Sequence, residues 1–248
     1  MGRGYKEKWK TFGNVFDEFI TNTLVKLCGQ GHFDGIQSPI SIGKEANIFT
    51  ALRGEKKVIL KIYRLETCDF NKMYSYIRTD PRYQKLKRQR RQVIFAWTQR
   101  EYRNLFKARE ANVIVPSPLA VMNNVLVLEM IGDKVPSPKL KDASPKNPKK
   151  FLSIILDNMK KLYASGLVHG DLSSFNILNY NEIPVFIDFS QSTQKDDQHA
   201  DEYLRRDIKN VAAYFSKHGL HTDTEEIYAK ITDNIKITDN IKNKPLKR

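Results

Sequence analysis

The sequence has little cysteine and no long apolar run. Its two cysteines, Cys28 and Cys68, form no CxxC pair, so a reducing compartment is favoured over a disulfide framework or a cysteine-ligated zinc site. No stretch reaches the roughly 18 apolar residues that a membrane-spanning helix needs, and the first ten residues lack the apolar core of a signal peptide. We therefore expect a soluble, cytoplasmic protein without a membrane partner.

Acidic residues are also scarce beside the basic ones. Lys and Arg number 42 against 28 Asp and Glu, which gives a formal net charge of +14 and favours polyanions such as RNA as partners. Residues 82–91 carry six cationic side chains and no acidic one, with Tyr83 among them. Such a run is most often a solvated face, but the net charge favours contact with RNA phosphates, with a salt slope of roughly −4 to −5 for six contacts.

Hydrophobic periodicity separates helical from strand-like parts of the chain. Helical spacing of apolar residues predicts helices within the first thirty residues and at 93–108, 151–166 and 204–215. Short apolar runs predict strands at 39–43, 47–52, 58–63, 113–121, 124–132, 175–180 and 184–189. Residues 133–150 are rich in Pro and Lys and are typical of a linker or an exposed crossing. A six-residue sequence, KITDNI, occurs twice at 230–241 and is too short an array for a solenoid.

Lys61 and Glu101 are the first candidate pair of functional residues. Lys61 lies in the apolar strand-like run VILK at 58–61, where an ammonium group needs an anionic partner such as phosphate or a carboxylate. Glu101 falls on one helical stripe with Val93, Trp97 and Leu105, and a carboxylate there is costly unless it is paired. We predict an ion pair between them, although either side chain could instead reach solvent.

Small residues before this strand suggest a phosphate-binding turn. In S-I-G-K-E-A-N, Ser41, Gly43 and Ala46 occupy the positions of a G-x-G-x-x-G loop, in which small side chains let backbone amides approach phosphate oxygens. Taken alone, this pattern is a weak signal and an ordinary hairpin turn would be favoured.

A third group of candidate residues follows the helix at 151–166. In H-G-D-L-S-S-F-N, four residues separate Asp171 from Asn176, which is the spacing of a kinase catalytic loop, and Asp188 follows in V-F-I-D. Asp171 could orient the attacking hydroxyl or water, whereas Asn176 and Asp188 offer the hard oxygen ligands that suit Mg²⁺. Each residue alone could be a turn former or a cap. Their order after Lys61 and Glu101 makes coincidence improbable.

The motifs S-x-G-K-E-A-N, H-G-D-L-S-x-x-N-I-L and I-D-x-x-Q resemble the Rio family of atypical kinases, and the type-one branch in particular. H199-A-D-E-Y-L-R-R-D-I-K-N also resembles a stretch that follows the metal loop in that family. The resemblance implies a serine/threonine kinase with ATPase activity, ATP with Mg²⁺ (or Mn²⁺), and a role in maturing the small ribosomal subunit. Pre-40S or 30S-type particles, rRNA and a protein substrate, including the chain itself, are the implied partners. It further implies phosphate-loop roles for Ser41, Gly43 and Lys44 and adenine-facing hinge roles for Glu129 and Ile131.

The same resemblance implies an α+β, two-lobed kinase fold with a truncated C-lobe and an N-terminal helical extension. We place the extension at residues 1–35, the N-lobe at 36–131 with a basic insertion at 66–92, and the reduced C-lobe at 132–248. Only thirty or so residues precede the N-lobe, which disfavours the type-two branch with its winged-helix domain.

The sequence departs from conventional protein kinases in the same region. Gly170 stands where they carry Arg, Ser173 replaces the loop Lys, D-F-G has become D-F-S, and no A-P-E motif follows. Loss of one preorganised cation can cost on the order of 10²–10³ in rate. We therefore expect slow chemistry that suits an ATP-driven switch.

Several alternatives stay open at this point. An aminoglycoside-kinase-like phosphotransferase shares H-G-D-x-x-x-x-N but fits a basic chain poorly, and an inactive RNA-binding scaffold is disfavoured by the intact set of site residues. Asp188 could accept phosphate covalently. We expect His169 to brace the catalytic loop through hydrogen bonds. His218 and His221 could suggest a metal, but no third ligand is in register.

Overall fold

The structure is a computed structural model that describes residues 16–232. These residues form two compact units. The first holds residues 16–103 and 116–130, and the second holds residues 104–115 and 131–232. The part of the predicted N-terminal helix before residue 16 lies outside the described residues, as do residues 233–241 of the KITDNI repeat. None of the helices within 16–232 has both the length and the apolar character needed to cross a membrane.

The first unit is built on a five-stranded antiparallel sheet in the order β1-β2-β3-β5-β4. The strands are β1 (Gly35–Ile42), β2 (Ala46–Arg53), β3 (Lys56–Tyr63), β4 (Pro118–Met122) and β5 (Val125–Glu129). The predicted strand at 113–121 begins only at Pro118, and residues 113–117 have no regular secondary structure.

The predicted N-terminal helix is confirmed as α1 (Glu18–Gly29), which begins at an Asp17 side chain that accepts from the Ile20 amide. Its apolar side chains Ile20, Leu24 and Leu27 pack with those of the sheet, including Phe49. The helix therefore belongs to the core of the first unit. Burial of three aliphatic side chains is worth about 1.5–3 kcal/mol each.

A helix that we did not predict, α2 (Phe70–Thr79), occupies the basic insertion. Phe70, Met73, Tyr74 and Ile77 repeat at helical spacing, and the Asp69 side chain caps the start by accepting from the Lys72 amide. Its apolar face packs against α3 (Arg90–Glu110) around Trp97. The signal was present in the sequence, but the surrounding charges obscured it.

The second unit combines helices with short strands. Its elements after α3 are α4 (Pro148–Ala164), β6 (Leu167–Val168), β7 (Ile177–Tyr180), β8 (Ile183–Phe186), β9 (Thr193–Gln194) and α5 (Ala200–Ser216), and residues 224–232 are also helical. β6 pairs with β9, and β7 pairs with β8 across a turn in which Asn181 and Glu182 both have positive φ. Phe151 of α4 and Phe215 of α5 pack in its core.

The Pro- and Lys-rich segment before α4 is bonded to the rest of the second unit. The Leu140 amide donates to the Ile177 carbonyl at 2.8 Å, and the Lys141 amide donates to the Ser174 carbonyl at 3.1 Å. Leu140 is buried. Around these residues the segment therefore runs beside the candidate catalytic loop and β7, which corrects our description of it as a linker.

Candidate active site

The predicted ion pair between Lys61 and Glu101 is present in the first unit. Lys61 Nζ donates to Glu101 Oε1 at 2.8 Å, and the side chains are 9% and 1% exposed. Lys61 and Tyr63 lie on the same face of β3 because side chains alternate along a strand. The Tyr63 hydroxyl donates to the second carboxylate oxygen, Oε2, at 2.5 Å. Both oxygens of Glu101 are thus engaged, which offsets the cost of burying the charges.

The candidate phosphate loop is a tight connection between β1 and β2. Ser41 lies in β1 just before this connection and Lys44 lies within it, and both are exposed. A Cβ at Gly43 would lie 2.9 Å from the Ala46 carbonyl oxygen, so only glycine fits there without displacement. The Lys44 carbonyl accepts from the Thr67 hydroxyl at 2.7 Å. This bond ties the loop to the segment that follows β3.

Of the two predicted hinge residues, Glu129 is the last residue of β5 and Ile131 lies two positions further on. Glu129 is exposed, and its carboxylate accepts from both the amide and the hydroxyl of Ser117 at 2.9 and 2.7 Å. Ile131, in the second unit, accepts from the Ser137 amide through its carbonyl at 2.8 Å. The Glu129 side chain is thus occupied within the first unit, and an adenine contact there would have to use the backbone, as we predicted.

The candidate catalytic loop lies between β6 and β7 in the second unit. Asn176 Nδ2 donates to the Asp171 carbonyl at 2.8 Å and to Asp171 Oδ2 at 3.1 Å, so the two predicted residues are in direct contact. His169 bonds through Nε2 with the Ile187 carbonyl at 3.1 Å, and the Asp171 amide donates to its Nδ1 at 3.4 Å. The predicted bracing role of His169 is confirmed.

Asp188 follows β8 in an unusual backbone conformation. Its φ is 63°, in the left-handed region that Asp tolerates better than most side chains. The Ser190 hydroxyl donates to Asp188 Oδ1 at 2.7 Å. Serine at the third position of D-F-S thus orients the carboxylate, a role that the glycine of D-F-G could not fill.

The oxygens of Asn176 and Asp188 fit a magnesium ion. Because the Asn176 amide nitrogen bonds to Asp171, its oxygen is the atom left to face a cation. Amide and carboxylate oxygens are hard ligands of the kind that Mg²⁺ takes, usually together with waters and substrate phosphates. Within residues 16–232 no cluster of three or more His, Cys, Asp or Glu side chains could hold a metal. His218 and His221 instead bond with Ser144 and Ser216, respectively.

The candidate catalytic loop is also held by a buried carboxylate, Asp207, which we did not predict from the sequence. Asp207 of α5 accepts from the amides of Gly170 and Leu172, both at 2.8 Å. Burial raises the pKa of Asp207 to about 7, against the opposing effect of these two amides and of Arg206. The same Arg206 donates to the Gly170 carbonyl. Asp207 belongs to the stretch 199–210, which the sequence analysis had noted for its resemblance to the family. That resemblance is the signal by which Asp207 could have been found.

The basic segment at 82–91 has mostly intramolecular partners. Arg82 pairs with Asp80 at 2.6 Å, and Arg90 donates to three backbone carbonyls, of Leu65, Glu66 and Cys68. Arg88 stacks over Tyr74, and Arg91 lies over Phe19. Lys85 and Lys87 are exposed. Several arginines that we had assigned to RNA phosphates therefore also hold the first unit together.

Comparison with known proteins decides which family these residues represent. A family model described as the RIO domain matches residues 47–227. The chain belongs to the RIO family. The RIO match covers every candidate site residue from Lys61 to Asp188, and the phosphate loop precedes it.

Curated relatives carry the name of the type-one branch. The chain is 41% identical over 93% of its length to RIO-type serine/threonine-protein kinase Rio1 of Methanocaldococcus jannaschii, and this alignment covers 80% of that protein. It is 38% identical to the Rio1 of Haloferax volcanii over 91% of its length and 79% of that protein. Human serine/threonine-protein kinase RIO1 is 33% identical over 90% of this chain but only 41% of its own length.

Solved structures of Rio2 show the same fold. The Rio2 kinase–ADP/Mg²⁺–phosphoaspartate complex from Chaetomium thermophilum matches with a TM-score of 0.65 at 20% identity, over 84% of this chain and 64% of that one. At this identity the likeness concerns the fold alone. The predicted α+β, kinase-like fold of a RIO protein is confirmed.

Proposed function

We propose that this RIO protein binds ATP with Mg²⁺ and transfers the γ-phosphoryl group, as an atypical serine/threonine kinase with ATPase activity. The observation that carries the proposal is the buried Lys61–Glu101 ion pair at 2.8 Å. An inactive scaffold would have no reason to keep an ammonium group in its core, since replacing such a pair with apolar residues is often neutral or stabilising. In a kinase this pair holds the lysine for the nucleotide phosphates.

Each candidate residue then has a defined task. Lys61 contacts the phosphates, Asp171 accepts a hydrogen bond from the attacking hydroxyl or water, and Asn176 and Asp188 would hold Mg²⁺. The metal, when bound, neutralises charge on the transferring phosphate. The amides near Gly43 bind the phosphates, and the backbone at Glu129 and Ile131 meets adenine. With Ser173 in place of the loop lysine, turnover is slow.

Two features favour this function over a small-molecule phosphotransferase. The chain belongs to a family whose curated members are named serine/threonine-protein kinases, and its net charge of +14 disfavours cationic substrates such as aminoglycosides. The experiment is Mg²⁺-dependent ATP hydrolysis by the wild-type protein and by Asp171→Ala. Loss of hydrolysis in the variant supports the proposal, and equal rates overturn it.

A covalent route through Asp188 is a second candidate, because a Rio2 neighbour is described as a phosphoaspartate complex. The Asp188 carboxylate would attack the γ-phosphorus, ADP would leave with the bridging electron pair, and water would later hydrolyse the acyl phosphate. Trapping of an acid-stable, base-labile phosphoenzyme that disappears in Asp188→Asn would support this route. Turnover without such a species would exclude it.

We further propose that the partner is a precursor of the small ribosomal subunit and that its RNA contacts the basic segment. The exposed Lys85 and Lys87 and the stacked guanidinium groups of Arg88 and Arg91 are the groups available to phosphates. Stacking on an aromatic ring orients a guanidinium group and leaves its N–H edge able to donate. Particle-stimulated ATP hydrolysis would make the protein a slow switch.

A further inference from the structure

Hydrogen bonds hold both ends of the turn Phe189–Ser192, which follows Asp188. Asn104, fully buried on α3, donates through Nδ2 to the carbonyls of Phe189 and Ser192 at 3.1 and 2.9 Å. The Ser192 amide closes the turn onto the Phe189 carbonyl at 3.2 Å, and its hydroxyl donates to the His169 carbonyl at 3.0 Å. The residues between these ends are therefore held at a fixed place beside the catalytic loop.

Gln191 projects from this turn onto the candidate catalytic carboxylate. Its Nε2 donates to Asp171 Oδ2 at 3.1 Å, and the residue is only 8% exposed. Asn176 Nδ2 donates to the same oxygen at 3.1 Å. Two amide donors from different segments thus converge on one oxygen of Asp171, which restricts rotation of the carboxylate about its Cβ–Cγ bond.

The absence of a side chain at Gly170 allows the turn to lie close to the candidate catalytic loop. Its φ is 79°, and a Cβ built there would lie 2.9 Å from the Gln191 carbonyl oxygen. A side chain at this position would have to push the turn away from the loop. The glycine that replaces the arginine of conventional kinases therefore permits the approach through which Gln191 reaches Asp171.

We propose that Gln191 is a positioning residue that acts through Asp171 on phosphoryl transfer. The inference rests on the function proposed above. In the reaction, the attacking oxygen forms a bond to the γ-phosphorus, the bond to the ADP oxygen breaks, and ADP keeps the electron pair. The proton of the attacking hydroxyl or water passes to Asp171 and then to solvent. Gln191 neither gains nor loses a proton, and it holds the accepting carboxylate in the required orientation.

The test is single-turnover hydrolysis of Mg²⁺-ATP by Gln191→Met, in the wild-type and Asp171→Ala backgrounds. Methionine keeps the length of the side chain but donates no hydrogen bond. We expect the rate to fall about 10- to 100-fold while the Kd for ADP changes less than about twofold. In the Asp171→Ala background we expect less than about a twofold effect, because residues that act as one unit are not additive.

Gln194→Met is the matched control. Gln194 lies three residues further on in β9 and bonds through Oε1 to Lys107 at 2.8 Å, so its replacement should leave the rate unchanged. If Asp171→Ala hydrolyses ATP too slowly to measure, the inference is judged from the rates of Gln191→Met and Gln194→Met in the wild-type background. A slower Gln191→Met that retains ADP affinity supports the inference, and loss of rate and affinity together overturns it.

The outcomes separate this inference from the proposed function. Equal factors for Gln191→Met in both backgrounds would show that Gln191 does not act through Asp171. An inactive Asp171→Ala beside a fully active Gln191→Met would overturn the inference and leave the proposed function intact. A fully active Asp171→Ala would overturn the proposed function itself.

Discussion

Lys61 Nζ lies 2.8 Å from Glu101 Oε1, and both side chains are buried. The residues are 40 positions apart, on β3 and on the part of α3 that belongs to the same unit. A second oxygen of Glu101 accepts from Tyr63 at 2.5 Å. This arrangement gives each carboxylate oxygen a donor and fixes the position of the ammonium group.

Replacement of one member of the pair should destabilise the protein more than replacement of both. Lys61→Met leaves the Glu101 charge buried without its ammonium partner, and we expect a loss of about 3–5 kcal/mol in the free energy of unfolding. Lys61→Met with Glu101→Gln should recover much of it, because Gln can still accept from Tyr63. Urea unfolding measures the stability of each variant.

ATP hydrolysis should not recover together with stability in the double variant. The double variant, although restored to near wild-type stability, should lose at least about 100-fold in ATP hydrolysis, because it lacks the cation that we propose binds the phosphates. A double variant that regained activity together with stability would show that Lys61 is structural only.

The buried Asp207 should give stability a characteristic pH dependence. Its pKa is about 7 in the folded protein against an ordinary value of 3.8, so between these pH values the folded state holds a proton that the unfolded state has lost. Stability from this group is complete below pH 4 and is lost as the pH rises to 7. Since a tenfold change in proton affinity is worth about 1.4 kcal/mol, the loss is about 4 kcal/mol at most.

Asp207→Asn, which does not titrate, checks the sign. The difference in unfolding free energy, wild type minus variant, should decrease from pH 4 to pH 7 in urea titrations at each pH. Parallel curves would contradict the assignment. The variant should also lose one of the two bonds to Gly170 and Leu172, because an amide side chain offers only one accepting oxygen.

Gly170→Ala should impair both stability and catalysis, and Gly219→Ala provides the matched control. Both glycines have a φ of 79°, but a Cβ at Gly219 meets nothing within 4 Å, whereas one at Gly170 meets the Gln191 carbonyl at 2.9 Å. The shared left-handed conformation should cost about 1–2 kcal/mol in each variant. Only Gly170→Ala should lose more than this and slow ATP hydrolysis, and equal effects of the two changes would contradict the close approach.

RNA binding should depend on Lys85 and Lys87. Replacing both with Gln should reduce the magnitude of the slope of log K against log salt by about 1.5, from the loss of two phosphate contacts. Filter binding of rRNA fragments across a salt series measures this slope. Lys149→Gln with Lys150→Gln, an equal charge change on α4, should leave it unchanged, and a wild-type slope near zero would contradict RNA binding altogether.

Residues within short motifs could be predicted from the sequence. Lys61 in an apolar strand and Glu101 on an apolar helical stripe each required a partner of opposite charge. The ion pair between them provides that partner for both. Asp171, Asn176 and Asp188 were predicted as site residues from their spacing. The main helices and strands followed from periodicity, because those segments bury one face in a core.

The residues that support the site could not be found in this way. Asn104 and Ser192 are 88 positions apart, and Asp207 lies 37 positions from Gly170. Their bonds arise only once packing brings distant segments together, and no local pattern distinguishes such polar side chains from solvated ones. The arginines at 82–91 make ion pairs and bonds to backbone carbonyls that a run of charge in the sequence does not reveal, because only tertiary structure brings the partners together.

Single-turnover hydrolysis of ATP, measured with and without purified small-subunit precursor particles, tests the central claim most directly. The account predicts slow Mg²⁺-dependent hydrolysis that particles accelerate, and that Asp171→Ala and Asp188→Ala both abolish. Lys149→Gln with Lys150→Gln should behave as the wild type. Hydrolysis that is indifferent to particles, or that survives in Asp171→Ala, would contradict the account.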